Sequence, residues 1–336
     1  MALFLSHESA ADFWRLVYPA DKAPGMPADA IELDRRPLSV SGLRQTVPTW
    51  LDGTFLSLEQ GRLHVLVADA RMRCGSRSVK SHIWKRPLPN GAFYRLSEDL
   101  CIASPPFVFL QLASTCTVAE LAAYGYELCG RYAFDPRQER GTHRRKIPLA
   151  TSSQLAAFLE GAAGAPGIVR AKQALAHIAE NSESPMETAT HLLLSLPYRY
   201  GGYGIGGLSL NREITLSEDA ALVARRRKCR ADILLEGAKL DIEFAGKFDH
   251  TGDDALESDR RRTNALASMG FEVIELTSGQ VRDWRTFEQV ALRIAAAAGK
   301  RIRNENRGLL AERMSLRQAL HDWNDASGRK RPEGLL

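Results

Sequence analysis

The chain has no long apolar run. Nowhere in its 336 residues is there a stretch of roughly 18 uninterrupted apolar residues, the length a membrane-spanning helix needs. The opening MALFLSHESAADFWR carries neither a basic leading segment nor a sustained apolar core, so a cytoplasmic protein without membrane association is expected. Cysteine is sparse: Cys74, Cys101, Cys116, Cys129 and Cys229 are widely spaced, odd in number and without a CxxC pair. That pattern argues against a disulfide framework and a thiolate zinc site and predicts reduced, mostly core thiols. Neither sign of charge dominates. With 45 Lys and Arg against 40 Asp and Glu, the net charge is +5, which permits nucleic acid as a partner without requiring it. A dinucleotide fingerprint is also missing: the glycine-rich GGYGIGG at Gly201 to Gly207 follows a helical pattern and not a strand, and reads as a flexible loop.

What is present is ordinary in bulk and specific in one place. Hydrophobic residues at 44% and charged residues at 25% are those of a globular protein, and the length suffices for two domains with their own cores. Basic residues gather at Arg225-Arg226-Arg227-Lys228, at Arg260-Arg261-Arg262, at His143 to Lys146 and at Arg329-Lys330-Arg331. The last two clusters read as solvated faces or linker. The first two flank an acidic stretch and are candidate phosphate contacts.

That stretch is Arg230 to His250, RADILLEGAKLDIEFAGKFDH. Two apolar runs, Ala231 to Leu235 and Leu240 to Phe244, flank Glu236-Gly237-Ala238-Lys239, and a loop with Gly first is a favoured two-residue hairpin connection. With Gly237 and Ala238 as the loop, Leu235 faces Leu240 and Asp232 faces Glu243. Side chains alternate along a strand, so the two carboxylates share one face while Ile233, Leu235, Leu240, Ile242 and Phe244 point to the other, toward a core. Opposed like charges at this spacing repel, and two ionised carboxylates call for a cation between them. All-oxygen ligation suits Mg²⁺ or Mn²⁺. The ordinary alternative is a pair of exposed edge-strand acids. Asp241, on the same face and opposite Leu234, is expected to be solvated, and Arg230 lies opposite Ala245 on the site face.

A hairpin presenting Asp on one strand and Glu on the next resembles the core of the PD-(D/E)XK nuclease superfamily. The order SP-x-E at Ser184 to Glu187, R-x-D at Arg230 to Asp232, I-E-F-x-G at Ile242 to Gly246, His250, D-x-x-R at Asp259 to Arg262 and G-F-x-V-I at Gly270 to Ile274 resembles its very-short-patch-repair-like bacterial branch. The resemblance covers residues 181–298 and implies a restriction-endonuclease-like fold: helix, three antiparallel strands, helix, a further strand and helix. It implies Asp232 and Glu243 as Mg²⁺ (or Mn²⁺) ligands, joined by Glu187 from the first helix as an outer-sphere carboxylate. Glu187 also reads as part of a capping box with Pro185 at the first helical position, and the two roles are compatible. His250 is either a general acid or base or a loop histidine. Asp259 and Arg262 either pair at the surface or orient the site. Where the superfamily carries Lys, the chain has Ala245, which can neither activate water nor hold a pentacovalent phosphate. Arg230 supplies a positive charge there, with Lys247 as the competing substitute. The function implied is DNA phosphodiester hydrolysis by a metal-dependent endonuclease. The alternative is a weakened nuclease fold serving as a DNA-binding regulator or antitoxin-like component of phage defence. Cutting both strands implies a homodimer.

The rest of the chain divides around this unit. Residues 1–148 alternate strand-like runs (Arg62 to Ala68, Ser81 to Lys85) with helical patterns (Pro105 to Ala113, Val118 to Cys129), predicting a smaller α/β domain. Its HVLVADARMR, SHIWKRPLP, LCIASPPFVFLQLA and LAAYGYELCGR segments resemble, more loosely, the part of AbiEi-type abortive-infection antitoxins outside their helix-turn-helix. Phe134 to Leu149 reads as linker. Residues 149–180 form a helical connector, and residues 299–336 a basic helical tail with a disordered end.

Overall fold

The structure, a computed structural model, describes residues 2–22, 24–28, 31–34, 36–37, 62–245, 253–302 and 307–326. It forms two compact units, Met1–Ile178 and Ala179–Ala326. Both are mixed α/β, with sheets flanked by helices.

The first unit runs β1 (Leu3–Leu5), α1 (His7–Leu16), β2 (Leu63–Val67), β3 (Val79–Ile83), β4 (Phe93–Ser97), β5 (Leu100–Ala103), α2 (Pro105–Leu112), α3 (Val118–Cys129), β6 (Tyr132–Phe134), β7 (Thr142–Arg144), α4 (Ser152–Gly161) and α5 (Ile168–Leu175). The first five strands make one sheet in the order β3-β2-β1-β5-β4. Its centre is therefore β1, three buried residues from the start of the chain, parallel to β5 and antiparallel to β2. Helix starts follow local chemistry. Ser104 accepts from the Phe107 N–H with Pro105 next to it in the first turn, and Thr117 and Glu120 close a reciprocal capping box on α3.

Two expectations change here. The helical connector belongs to this unit: α4 and α5 pack on α2 and α3, and α3 approaches so closely that a Cβ on Gly125 would lie 2.1 Å from Ile178 Cδ1. The first unit is thus the larger of the two. The expected linker, in turn, contains the β6–β7 hairpin. Just beyond it Arg145 is fully buried and donates to the carbonyls of Trp14 and Pro19, both at 3.2 Å. One member of the cluster at His143 to Lys146 is therefore structural, because a buried guanidinium persists only where carbonyls replace its water. The thiols are free, and all but Cys116 are buried.

The second unit runs α6 (Pro185–Ser195), β8 (Leu208–Thr215), α7 (Glu218–Ala224), β9 (Lys228–Leu235), β10 (Leu240–Ala245), α8 (Asp253–Ser268), β11 (Glu272–Thr277), α9 (Ser278–Arg282), α10 (Trp284–Ala297) and α11 (Arg307–Ala326). Its sheet has the order β11-β10-β9-β8, antiparallel from β8 to β10 and parallel between β10 and β11. Helix, three antiparallel strands, helix, strand and helix occur in the expected sequence, with α7 inserted between β8 and β9. Ala265 and Leu266 of α8 join Ile214, Leu216, Cys229, Ala231 and Leu234 in one apolar cluster. Helix α6 meets β8 and β9.

The glycine-rich loop is a close-packing device in place of the expected flexible loop. A Cβ on Gly202 would lie 2.1 Å from the Leu196 carbonyl oxygen, and one on Gly201, whose φ is +83°, would lie 2.2 Å from that of Glu312. Only glycine lets the backbone come so near. The basic tail is likewise integral as far as Ala326: α11 packs on α6 and on the short 3₁₀ turn Tyr198–Tyr200, burying Leu316 and Leu320.

Candidate functional site

The hairpin register is the one the alternation predicts: Leu240 pairs with Leu235, Asp241 with Leu234 and Ile242 with Ile233. The turn that sets it differs. Glu236–Ala238 form a 3₁₀ turn and Lys239, not Gly237, takes the left-handed conformation at φ 48° and ψ 47°, closed by a 3.0 Å bond from the Lys239 N–H to the Glu236 carbonyl. The four-residue loop keeps the pairing sum of the two-residue one, so the strands align identically.

Continued by one step, that register sets Asp232 against Glu243, and here side chains take over from the ladder. The Asp232 N–H donates to Glu243 Oε1 at 3.2 Å, and the Phe244 N–H donates to Asp232 Oδ2, also at 3.2 Å. Each carboxylate is thereby tied to the other strand's backbone. Neither is an exposed edge acid: Asp232 is 3% and Glu243 8% exposed.

Their face is covered by α8. Arg262 Nη2 donates to Asp241 Oδ2 at 2.8 Å, to Glu243 Oε1 and to the Arg230 carbonyl at 3.0 Å. The guanidinium thus gives Glu243 and its neighbour Asp241 the cation that like-charged groups call for. Burial works against its charge, but Glu243 and then Asp241 outweigh it and hold the Arg262 pKa above the ordinary value. Two expectations are corrected. Arg262 faces inward and is no free phosphate contact, and Asp241 is not solvated but fully buried. Burial, with Glu243 beside it, pushes the Asp241 carboxyl well above the usual carboxylate range, and its Oδ1 has no hydrogen-bond partner among the described residues.

At the other end of the pair lies Glu187, fully buried. Its N–H donates to Ser184 Oγ at 3.1 Å, as the capping pattern predicts. Its carboxylate accepts from Ser184 Oγ at 3.1 Å, from the Glu183 N–H at 2.8 Å and from Asn211 Nδ2 at 2.5 Å. The Ser184 cap is realised, but the Glu187 carboxylate takes the Glu183 N–H and not the Ser184 N–H of a reciprocal capping box. One oxygen each from Glu187, Asp232 and Glu243 does not converge within 4.8 Å. Arg230 reaches the same region: its two Nη atoms bind both oxygens of Glu183 at 2.6 and 2.8 Å. Burial lowers its pKa, but the bonds to Glu183 and the charges of Glu187 and Asp232 raise it further.

Of the other predicted residues, Lys247 and His250 lie outside the described residues, as does the side chain of Ala245. Arg225, Arg226, Arg227 and Lys228 are exposed in the tight turn from α7 into β9, which Arg225 makes with φ 53°. Lys228 pairs with Glu213 at 2.5 Å and Arg226 meets Ser258 Oγ at 3.4 Å. Arg260 is exposed, and Arg261 pairs with Glu257 one turn away.

Sequence reasoning missed Glu183 and Asn211. Between the pairs Leu210–Ile233 and Arg212–Ala231, Asn211 turns to φ +50° across from Asp232 and sends its amide to Glu187. Asn tolerates this conformation better than most residues, but a lone Asn in a strand is a weak signal before the neighbouring helix is in place.

The oxygens of Asp232 and Glu243 are hard donors and fit Mg²⁺ or Mn²⁺. Arg262 has to leave Glu243 before that carboxylate can serve such an ion. Compared with family models, with curated proteins and with solved structures, the chain matches none.

Proposed function

We propose that the second unit is a metal-dependent endonuclease acting on DNA, with Asp232 and Glu243 holding Mg²⁺ or Mn²⁺ and Glu187 assisting through water. The observation that carries this reading is the Asp232–Glu243 pair, buried, opposed across one hairpin and cross-bonded to each other's backbone. The ion supplies an activated water and charge neutralisation at the phosphate. The chain's own residues do the rest. Arg230, fixed by Glu183, faces the developing negative charge as a permanent cation, able to stabilise it but not to act as a base. Lys247 or His250 handles the proton. The exposed Arg225, Arg226, Arg227 and Arg260, with Lys228 and Arg261, contact the DNA backbone. The product is a 5′-phosphate, and two copies of the chain cut both strands.

A second reading is favoured by the Arg262 clamp. A guanidinium already neutralising Glu243 and Asp241 makes an ion dispensable, and the unit then serves as a DNA-binding regulator without cleavage. One experiment separates the two: calorimetry of Mn²⁺ and Mg²⁺ binding to wild type and to Asp232→Asn/Glu243→Gln, followed by incubation with supercoiled plasmid. Binding and nicking that disappear together in the double variant support the nuclease. A wild type that binds DNA but neither metal nor nicks supports the regulator.

A further inference from the structure

A different kind of site lies in the first unit. Helix α1 begins immediately after β1, and the Ser6 N–H donates to the His64 carbonyl at 3.0 Å, so the first turn of the helix sits over β2 and β3. These strands are parallel, with Leu66 opposite His82. Side-chain alternation puts His64 and His82 on one face of the sheet, two residues apart along it. Glu8, on the first turn of α1, comes down on that face. Glu8 Oε2 lies against His64 Nδ1, and His82 Nε2 is 3.2 Å from the same nitrogen. Among the described residues these are three ligand-type side chains whose donor atoms lie within 4.8 Å of one another.

We propose that Glu8, His64 and His82 form a binding site for a borderline divalent transition metal, with Zn²⁺ as the ion of choice. Two imidazole nitrogens and one carboxylate oxygen are the donor set for such an ion, and leave positions open for water or substrate. The spacing agrees. Metal–nitrogen bonds of about 2.0–2.1 Å at tetrahedral to octahedral angles set neighbouring donors roughly 2.9–3.4 Å apart, a range that includes the 3.2 Å between the two ring nitrogens. Hydrogen bonding alone leaves the cluster incompletely satisfied. His64 Nδ1 faces both a nitrogen and an oxygen and carries at most one proton, while Glu8 Oε2 is buried and accepts no well-aligned hydrogen bond.

The surroundings hold the three donors still. The His64 N–H donates to Ser9 Oγ at 2.9 Å. The His7 ring stacks on His82 with centroids 3.5 Å apart and planes 14° from parallel. His7 itself takes φ 48°, an uncommon backbone state. Its N–H is held by Gln111 Oε1 at 2.9 Å and its Nδ1 lies 3.1 Å from Ser6 Oγ. Ligands on two strands and a helix end, backed by packed partners, are pre-organised to bind.

The test uses the full-length chain without a histidine tag. Zn²⁺ is titrated by calorimetry and Co²⁺ by visible absorption, in wild type, Glu8→Gln, His64→Ala, His82→Gln and the Asp232→Asn/Glu243→Gln double variant. One Zn²⁺ per chain is expected, with the absorption bands of cobalt bound to nitrogen. Affinity should fall by about 100-fold or more in the two histidine variants and remain unchanged in the double variant, which separates this site from the one proposed for cleavage. Zinc should also raise the wild-type melting temperature, a readout that needs no variant to fold. The proposal is overturned by a wild type that binds no Zn²⁺ and shows no such rise. It is equally overturned by Zn²⁺ binding that survives when His64→Ala or His82→Gln is combined with Asp232→Asn/Glu243→Gln in a folded protein.

Discussion

At the scale of single residues, Arg262 decides how the acidic hairpin behaves. Its side chain is 14% exposed and touches two buried carboxylates, so its removal strands charge in a poorly solvated place. Breaking a buried pair in this way costs about 3–5 kcal/mol. Arg262→Ala should therefore unfold at clearly lower urea concentration than wild type in the presence of chelator. If the guanidinium stands where an ion binds, millimolar Mn²⁺ should restore more stability to the variant than it adds to wild type; equal effects would show that the two do not compete. Arg230 makes a different claim. It is 43% exposed, but its partner Glu183 is only 9% exposed, so its loss should cost less stability than that of Arg262 without being neutral. In a plasmid-nicking assay, Arg230→Ala should abolish cleavage while Lys247→Ala leaves most of it, and the reverse result would transfer the role to Lys247. The alternation pattern brings Asp232 and Glu243 together across the hairpin. What pattern could not supply is which carboxylate each arginine chooses, because Arg262 and Glu243 are 19 residues apart and meet only when α8 folds over the sheet.

At the scale of elements, α6 and the loop after it carry the clearest consequences. His191 is buried, with Nε2 3.3 Å from the Leu208 carbonyl and Nδ1 3.2 Å from Ser195 Oγ, and burial lowers its pKa to about 4. The unfolded chain takes up its proton near pH 6.5, so stability falls as pH drops from about 6.5 toward 4. The loss is bounded by roughly 3 kcal/mol at about 1.4 kcal/mol per unit. In thermal melts at pH 7 and pH 5, the gap between wild type and His191→Gln should narrow at the lower pH. Past the helix, Gly202 admits no side chain because the Leu196 carbonyl occupies the space. Gly202→Ala should lower the melting temperature by more than the roughly 2–4 °C that about 1 kcal/mol shifts a domain of this size. Gly206, with open space around it, should tolerate the same change. The glycines mark a turn in the sequence, but the reason for Gly201 is a helix more than a hundred residues further on, where the Glu312 carbonyl lies.

At the scale of the whole chain, charge is spread nearly evenly, and its placement carries the prediction. The exposed turn Arg225-Arg226-Arg227 projects three positive charges with little compensation from the helix behind it, whose first turn holds the acids Glu218 and Asp219. If these arginines meet phosphates, replacing all three with Gln should flatten the dependence of DNA affinity on salt by roughly 0.9 per contact removed. An unchanged slope in a titration between about 50 and 200 mM salt would take this turn out of the interface. No helix among the described residues is long and apolar enough to cross a membrane.

By itself the sequence determined those features that depend on alternation and local capping: the β9–β10 register, the pairing of Asp232 with Glu243, the Ser184 cap on α6, and the helices at Pro105 and Val118. Each of these is set by residues within a few positions of one another. Only tertiary structure decided the rest. Three residues at Leu3–Leu5 are too few for a periodic signal, yet they become the centre of a five-stranded sheet because their neighbours β2 and β5 lie some 60 and 95 residues further along the chain. Glu8, His64 and His82 carry no motif spacing, and β2, β3 and α1 bring them together. Arg145 reads as one of four basic residues until the carbonyls of Trp14 and Pro19 close around it. Contacts between distant segments leave no period in the chain, since what selects them is the shape and polarity of surfaces that exist only once the elements have packed.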